Sequence, residues 1–243
     1  NPITQAFFPR FSELVARGDN EQLVGNYHLA AQLVSTFSAP AALVLLFYGE
    51  DLLFFWSGDR GLAGQVAPIL ALLAVGTLLN CMMHVPFITQ FAYGRLDITV
   101  KTNFTAVCVL VPAIYLATRH YGAIGAACVW ALINAGYILV GMPFMYRHLL
   151  GNEQRKWYRD DVFLPLSAAS LTGGLFWYAG PHSLEEPIQL AWPLIAGLLM
   201  LVSTGASLAL PLLTKNALDR VVQAREIAAL DRLVIGLLGM ALL

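Results

Sequence analysis

Charged side chains are scarce in this chain of 243 residues: only 12% are Asp, Glu, Lys or Arg, whereas 58% are hydrophobic. Soluble domains carry about 25% charged and about 45–50% apolar residues, so the composition excludes an ordinary soluble domain. The 14 Lys and Arg are balanced by 15 Asp and Glu. The basic excess of a nucleic-acid-binding surface is therefore missing, and we predict no nucleic-acid partner.

Cysteine is also rare, and the spacing of the three residues matches neither a disulfide framework nor a metal site. Cys81, Cys108 and Cys128 fall inside apolar stretches, which predicts small buried hydrophobic side chains. A glycine-rich phosphate loop would need a following Lys and a soluble helix, and neither is present. We therefore predict no metal and no cofactor. The chain opens on Asn-Pro without a Met, which favours a fragment or a processed product.

Long runs of uncharged residues make up most of the sequence. A bilayer core of about 30 Å needs roughly 20 helical residues to cross it. Helices are the default in lipid, because every backbone polar group there must be satisfied internally. We predict an all-α, polytopic membrane helix bundle of six transmembrane helices, within the uncharged runs 29–49, 61–94, 102–118, 120–146, 162–184 and 187–214.

The positions of Lys and Arg give an independent test of these spans. If the chain crosses the membrane at each run, twelve of the 14 basic residues lie on one side and only Arg60 and Arg119 on the other. Cytoplasmic loops carry the excess of Lys and Arg, so the rich side is cytoplasmic. The expected location is the bacterial cytoplasmic (inner) membrane, as a multi-pass protein with the lipid bilayer as its surroundings.

Prolines interrupt several spans. The run 61–94 is too long for one straight helix and too short for two, and Pro86 predicts a kink in it, because proline removes a backbone hydrogen bond. Three more predicted kinks lie at Pro40, Pro112 and Pro143. Bending helices are typical of transporters, although each proline alone is equally compatible with simple packing.

Asp, Glu, Lys and Arg are missing from every predicted span, so the candidate functional groups are neutral residues or histidine. Asn80 and His84 lie one turn apart on one helical face. The candidate cavity-lining residues are Thr36, Asn80, His84, Gln90 and Asn134. The alternative for each is hydrogen bonding between helices. His28 lies at a predicted membrane edge, and we interpret it as an interfacial side chain.

The chain divides into three regions. Residues 1–27 are predicted to be the end of a truncated helix and a cytoplasmic connector, and residues 28–214 form the six-helix lobe. Residues 215–243 combine an amphipathic cytoplasmic helix with an apolar end, which is a short anchor or an incomplete span. The external connections are short and acidic, which argues against an enzyme.

The order of several motifs resembles one transporter family. Pro9, Ser12, Gly18 and Asp19 stand where that family closes one helix and turns into the next. The stretch "QFAYGRLDITVKTN" follows, then the small residues from Tyr121 to Asn134, then the basic loop "HLLGNEQRKWYRDD". Together, over roughly residues 5–215, the chain resembles the polysaccharide transporters of the multidrug/oligosaccharidyl-lipid/polysaccharide exporter superfamily.

The resemblance implies a flippase of 12 to 14 spans in two lobes, of which this chain is the C-terminal lobe and lacks its N-terminal partner lobe. The implied substrate is an undecaprenyl-diphosphate-linked oligosaccharide repeat unit, moved outward for O-antigen, capsule or exopolysaccharide synthesis. A polysaccharide polymerase and glycosyltransferases are further candidate partners. Two alternatives stay open: a multidrug or other small-molecule exporter of the same fold, and a membrane glycosyl-transferring enzyme or scaffold subunit.

Overall fold

The computed structural model describes residues 2–180 and 191–207, and these form a bundle of helices without a strand in the described part. The helices, in chain order, are α1 Pro2–Arg17, α2 Asn20–Ser57, α3 Arg60–Met82, α4 His84–Ala92, α5 Leu96–Gly136, α6 Met142–His148, the single turn α7 Gln154–Lys156, α8 Leu164–Ala179 and α9 Ala191–Ser207. π-helical segments at Tyr137–Gly141 and Trp157–Phe163 and a 3₁₀ turn at Gly151–Glu153 join the later helices.

Two short turns define the ends of α2. Gly18 adopts a left-handed conformation with φ of 71°, and Asp19 caps α2 by accepting a hydrogen bond from the amide of Gln22 at 3.1 Å. The predicted Gly-Asp turn is therefore present. The expectation that Pro9 and Ser12 close the preceding helix is wrong, because α1 continues to Arg17 and the Ser12 hydroxyl donates back to the Phe8 carbonyl. At the far end, Asp59 caps α3 through the amides of Gly61 and Leu62.

The predicted kink near Pro86 falls at Met83. The helix is interrupted between α3 and α4, and the Met83 amide donates to the Asn80 carbonyl, three residues back instead of four. The Pro86 ring would clash with the carbonyl of Met82, four residues earlier, and proline has no backbone N–H to donate. The ladder of helical hydrogen bonds therefore breaks just before Pro86. The two helices together span 33 residues, close to the predicted length.

A hairpin is hidden inside α5. Gly122 has φ of 62° and ψ of −146°, which is outside any helical region, and the chain reverses there. The reversal brings the Tyr137 hydroxyl within 3.0 Å of the Asn103 side-chain oxygen, to which it donates. The predicted spans 102–118 and 120–146 therefore correspond to two antiparallel arms. The first arm is 96–121. The second arm is 123–136 and continues through the following segment to His148. Only glycine reaches this backbone region readily.

Both π-helical segments end just before a proline. The Met142 amide donates to the Tyr137 carbonyl ahead of Pro143, and the Leu164 amide donates to the Arg159 carbonyl ahead of Pro165. Widening the turn moves the backbone away from the proline ring that would otherwise clash with it. Pro143 is one of the predicted kinks, whereas Pro165 was not predicted to be one. In contrast, α2 continues through Pro40 and the first arm of α5 continues through Pro112.

The best-packed part of the bundle lies at the end that carries the basic turns. Its largest fully buried side chains are Phe11, Leu14, Leu23, Tyr27, Tyr146 and Trp157, from α1, α2 and the segments after the hairpin. The first arm of α5, in contrast, exposes apolar side chains on most of its surface, among them Phe104 and Tyr115. Cys108 is exposed on this arm and the other two cysteines are only half-buried, so the expectation of buried cysteines is wrong.

Four helices of the described part are long and apolar enough to cross a membrane: Asn20–Ser57, Arg60–Ala92, Thr99–His148 and Gln154–Ala179. The third contains the hairpin, and α9 is a shorter apolar helix. The predicted all-α membrane helix bundle is confirmed, whereas the number of six spans and the three regional boundaries stay predictions. Residues 215–243, with the predicted amphipathic helix, lie outside the described residues.

Candidate functional site

An ionisable cluster lies inside the well-packed end of the bundle. We call it the acid–histidine cluster, and it consists of His28 and Gln32 from α2, Glu153 from the 3₁₀ turn, and Asp161 from the second π-helical segment. His28 and Gln32 are one helical turn apart, so both side chains face the same neighbour. The His28 side chain is 5% exposed and the Asp161 side chain is fully buried.

The histidine ring bridges two carboxylates. Its Nδ1 lies 2.5 Å from Oδ2 of Asp161, and its Nε2 lies 2.9 Å from Oε2 of Glu153. The other oxygen of Asp161 accepts a hydrogen bond of 2.9 Å from the Gln32 amide. Ionised carboxylates only accept hydrogen bonds, so with both ionised the His28 ring donates from both nitrogens and is a cation. The earlier interpretation of His28 as a lone interfacial residue is wrong.

Aromatic residues enclose the cluster. The hydroxyl groups of Tyr27 and Tyr146 lie 2.6 Å apart, and both tyrosines are fully buried. The Tyr27 ring meets the His28 ring edge-on, and the Tyr146 ring packs against Trp157. Because these rings exclude water, the charges within the cluster interact more strongly than exposed charges would.

The second π-helical segment decides which charges point inward. Asp161 and Trp157 face the core, whereas Asp160 faces outward and pairs with Arg159 at 2.6 Å. The wide turn ahead of Pro165 thus places one of two adjacent aspartates in the bundle and the other on its surface. Chemically, the arrangement can hold or release a proton and can tie α2 to the segment that precedes α8.

The predicted cavity residues form a different set of contacts. Asn80 donates to the side-chain oxygen of Asn134 at 2.9 Å, which joins α3 to the second arm of α5. His84 begins α4, and its Nδ1 donates to the carbonyls of Asn80 and Cys81 at 3.0 and 3.1 Å. These contacts bring Asn80, His84 and Asn134 together and engage their polar groups within the protein.

The other two predicted residues lie apart from that group. Gln90 is buried in α4 and accepts a hydrogen bond of 2.8 Å from the Thr99 hydroxyl at the start of α5. Thr36 is buried in α2, and its hydroxyl has no hydrogen-bond partner among the described residues. None of the five belongs to the acid–histidine cluster, and their role as cavity-lining residues stays a prediction.

A signal for the cluster was present in the sequence. His28 and Asp161 each stand one residue outside an uncharged run, and both stand at its cytoplasmic end. Helices that end at the same membrane surface bring such residues to the same depth. Both residues lie just outside the predicted spans, and for that reason neither was among the predicted cavity-lining residues.

Comparison with known proteins gives relatives of this chain. It is 27% identical over 166 residues to the lipopolysaccharide biosynthesis protein WzxC of Escherichia coli, a match that covers 68% of this chain and 33% of the relative. It is 25% identical over 150 residues to an uncharacterized membrane protein in the cps region of Klebsiella pneumoniae, covering 62% of this chain and 30% of the relative. This chain is thus similar to a lipopolysaccharide biosynthesis protein and to a membrane protein of a cps region.

The resemblance found in the sequence motifs is supported by these relatives, and so is the expected location in the bacterial cytoplasmic membrane as a multi-pass protein. The chain spans about a third of the length of the curated relatives it matches. No family model matches the chain, and no solved structure matches it.

Proposed function

We propose that this chain is part of a flippase that moves a lipid-linked oligosaccharide repeat unit across the bacterial cytoplasmic membrane. The observation that carries the proposal is the similarity to WzxC over 68% of the chain. The helical bundle supports it, since the helix Arg60–Ala92 is interrupted at Met83 and two turns are widened at Tyr137–Gly141 and Trp157–Phe163. Interrupted helices are common in transporters, where they allow parts of a bundle to move against each other.

We assign the acid–histidine cluster a structural role in this transport, which is to hold two helices together. It joins α2 to the segment around Asp161 by two hydrogen bonds that involve charged groups, and to Glu153 in the 3₁₀ turn by a third. Such bonds are directional and short, so they hold two helices in one arrangement until a charge is neutralised. The polar pair of Asn80 and Asn134 is assigned the same role between α3 and the second arm of α5.

A multidrug or small-molecule exporter of the same fold is the second candidate. An exporter of small cations would use a carboxylate within reach of its pathway. Asp161 is the most buried carboxylate of the described residues, but His28 already neutralises it. The glycosyl-transferring enzyme is the third candidate. WzxC is named for lipopolysaccharide biosynthesis and not for transport, so an experiment must separate the two activities.

The test is genetic complementation with the full-length protein in a strain whose own polysaccharide flippase gene has been deleted. We expect surface polysaccharide to return and lipid-linked repeat units to stop accumulating on the cytoplasmic face. Asp161→Asn is expected to reduce this recovery, whereas Asp160→Asn, a neutralised aspartate one position earlier, leaves it unchanged.

The outcomes separate the candidates. Repeat units that keep accumulating on the cytoplasmic face, but with an altered sugar content once this protein is expressed, would identify an enzyme. Unchanged polysaccharide combined with new resistance to toxic cations would identify a multidrug exporter. Either result contradicts the flippase proposal.

A further inference from the structure

A groove runs along the outer side of the segment that carries Asp161 on its inner side. It has a volume of about 1000 Å³, and the residues that define it are Arg155, Tyr158, Arg159, Val162, Phe163 and Leu166. The two arginines are four residues apart, and Phe163 follows four residues after Arg159, so these three side chains form one row. The groove is thus basic at one end and apolar at the other.

The basic end has an excess of positive charge. Arg155 and Lys156 are exposed and have no ion-pair partner among the described residues, and Arg159 shares its guanidinium with Asp160 alone. Asp161 lies on the opposite, buried side of the segment, where it is hydrogen-bonded to His28. Of the two arginines that line the groove, Arg155 therefore has no counter-ion among the described residues, and Arg159 has one. Guanidinium groups with free N–H donors match the geometry of phosphate oxygens.

The apolar end leads into the membrane. Phe163 is 67% exposed, and no charged residue occurs from Val162 to Leu184 in the sequence. The arginines stand immediately before this uncharged run, on the side that carries twelve of the 14 basic residues. They are accordingly at the depth of the lipid headgroups in the cytoplasmic leaflet, where anionic lipids attract Lys and Arg.

We infer that this groove is a binding site for an anionic phospholipid of the cytoplasmic leaflet. The phosphate group contacts Arg155 and Arg159, and a hydrocarbon chain covers Val162, Phe163 and Leu166. A small soluble anion leaves the apolar end uncovered, and a zwitterionic lipid does not compensate the positive charge. Occupancy adds charge beside Arg159 and thereby stabilises the segment that presents Asp161 to His28. The site does not depend on which substrate the protein transports.

Native mass spectrometry of the full-length protein in detergent tests the inference. The probes are phosphatidylglycerol, phosphatidylcholine and inorganic phosphate, each titrated separately. We expect phosphatidylglycerol to bind more tightly than phosphatidylcholine, and inorganic phosphate at equal concentration not to displace it. Because each Arg near an anionic headgroup contributes about 1 kcal/mol, R155A/R159A should weaken phosphatidylglycerol binding about thirtyfold.

Two variants serve as controls. R155K/R159K keeps the charge and should retain most of the binding, which separates lost binding from misfolding. R95A/R147A removes the partly buried Arg95, which pairs with Asp97, and the exposed Arg147 from the same end of the bundle but outside the groove, and should bind like the unaltered protein. Equal loss in R155A/R159A and R95A/R147A would overturn the site, as would equal affinity for both lipids. If inorganic phosphate displaced phosphatidylglycerol, the proposed contact of a hydrocarbon chain with the apolar end of the groove would be wrong.

Discussion

His28 and Asp161 are 133 positions apart in the chain and form a hydrogen bond of 2.5 Å in the buried end of the bundle. The bond joins the first long helix to the segment that leads into α8, and it closes a cluster that also includes Gln32 and Glu153. A buried charge of this kind depends on its partner, because an unpaired charge inside a protein is far more costly than a paired one.

The first prediction concerns this partnership. His28→Ala should lower the free energy of unfolding by about 3–5 kcal/mol, since it leaves the buried Asp161 carboxylate without its counter-ion. The measurement is denaturant or thermal unfolding in detergent, followed by tryptophan fluorescence. The double variant His28→Ala/Asp161→Asn should recover part of the loss, because the orphaned charge is gone.

Asp160→Asn is the matched control for that experiment. Asp160 is the neighbour of Asp161 in the chain, but it pairs with the exposed Arg159 at the surface. Exposed ion pairs contribute about 0–1 kcal/mol, so this substitution should hardly change the stability. If Asp160→Asn and Asp161→Asn destabilise the protein equally, the inward position of Asp161 is wrong.

The tyrosine pair beside the cluster gives a second prediction. Tyr27→Phe and Tyr146→Phe each leave one buried hydroxyl without its partner, so each should cost about 1–3 kcal/mol. Replacing both removes two matched groups together, so the double variant should cost less than the sum of the two. Additive losses in the same unfolding assay would mean that the hydroxyl groups do not bond each other.

Gly122 gives a third prediction. With φ of 62° and ψ of −146° it forms the reversal of the α5 hairpin, and a side chain there strains the backbone by about 1–3 kcal/mol. Gly122→Ala should therefore lower the unfolding temperature. Gly136→Ala is the control, because Gly136 is helical with open space around it, and alanine favours a helix by about 1 kcal/mol over glycine. If a straight helix ran through residue 122, Gly122→Ala would raise the unfolding temperature instead of lowering it.

The close approach of α3 and the second arm of α5 gives a fourth prediction. A side chain added at Gly76 would collide with the ring of Trp130, so Gly76→Ala should destabilise the protein by about 1–3 kcal/mol. In α8, Gly174 has open space, and Gly174→Ala should be harmless in the same assay. Trp130→Leu combined with Gly76→Ala should cost less than the separate losses add up to. Strict additivity would contradict the contact.

Much of the architecture follows from local chemistry. Uncharged runs of membrane length predict helices because lipid offers the backbone no other hydrogen-bond partner. The Gly-Asp turn before α2 and the break ahead of Pro86 follow from backbone preferences that a few neighbouring residues fix. The same reasoning placed the reversal between the third and fourth runs at Arg119, three residues from Gly122, where the backbone turns.

Which polar side chains form hydrogen bonds with each other depends on the tertiary structure. Nothing in the sequence distinguishes Asp160 from Asp161. The widened turn ahead of Pro165, packed against α2, directs Asp161 to His28 and Asp160 to Arg159. Asn80 and Asn134 likewise pair only once the hairpin returns along α3. The helical class and the turns at Gly18 and Met83 could be predicted, because they depend on neighbouring residues in the chain. The cluster depended on the fold, because its hydrogen bonds join residues more than a hundred positions apart.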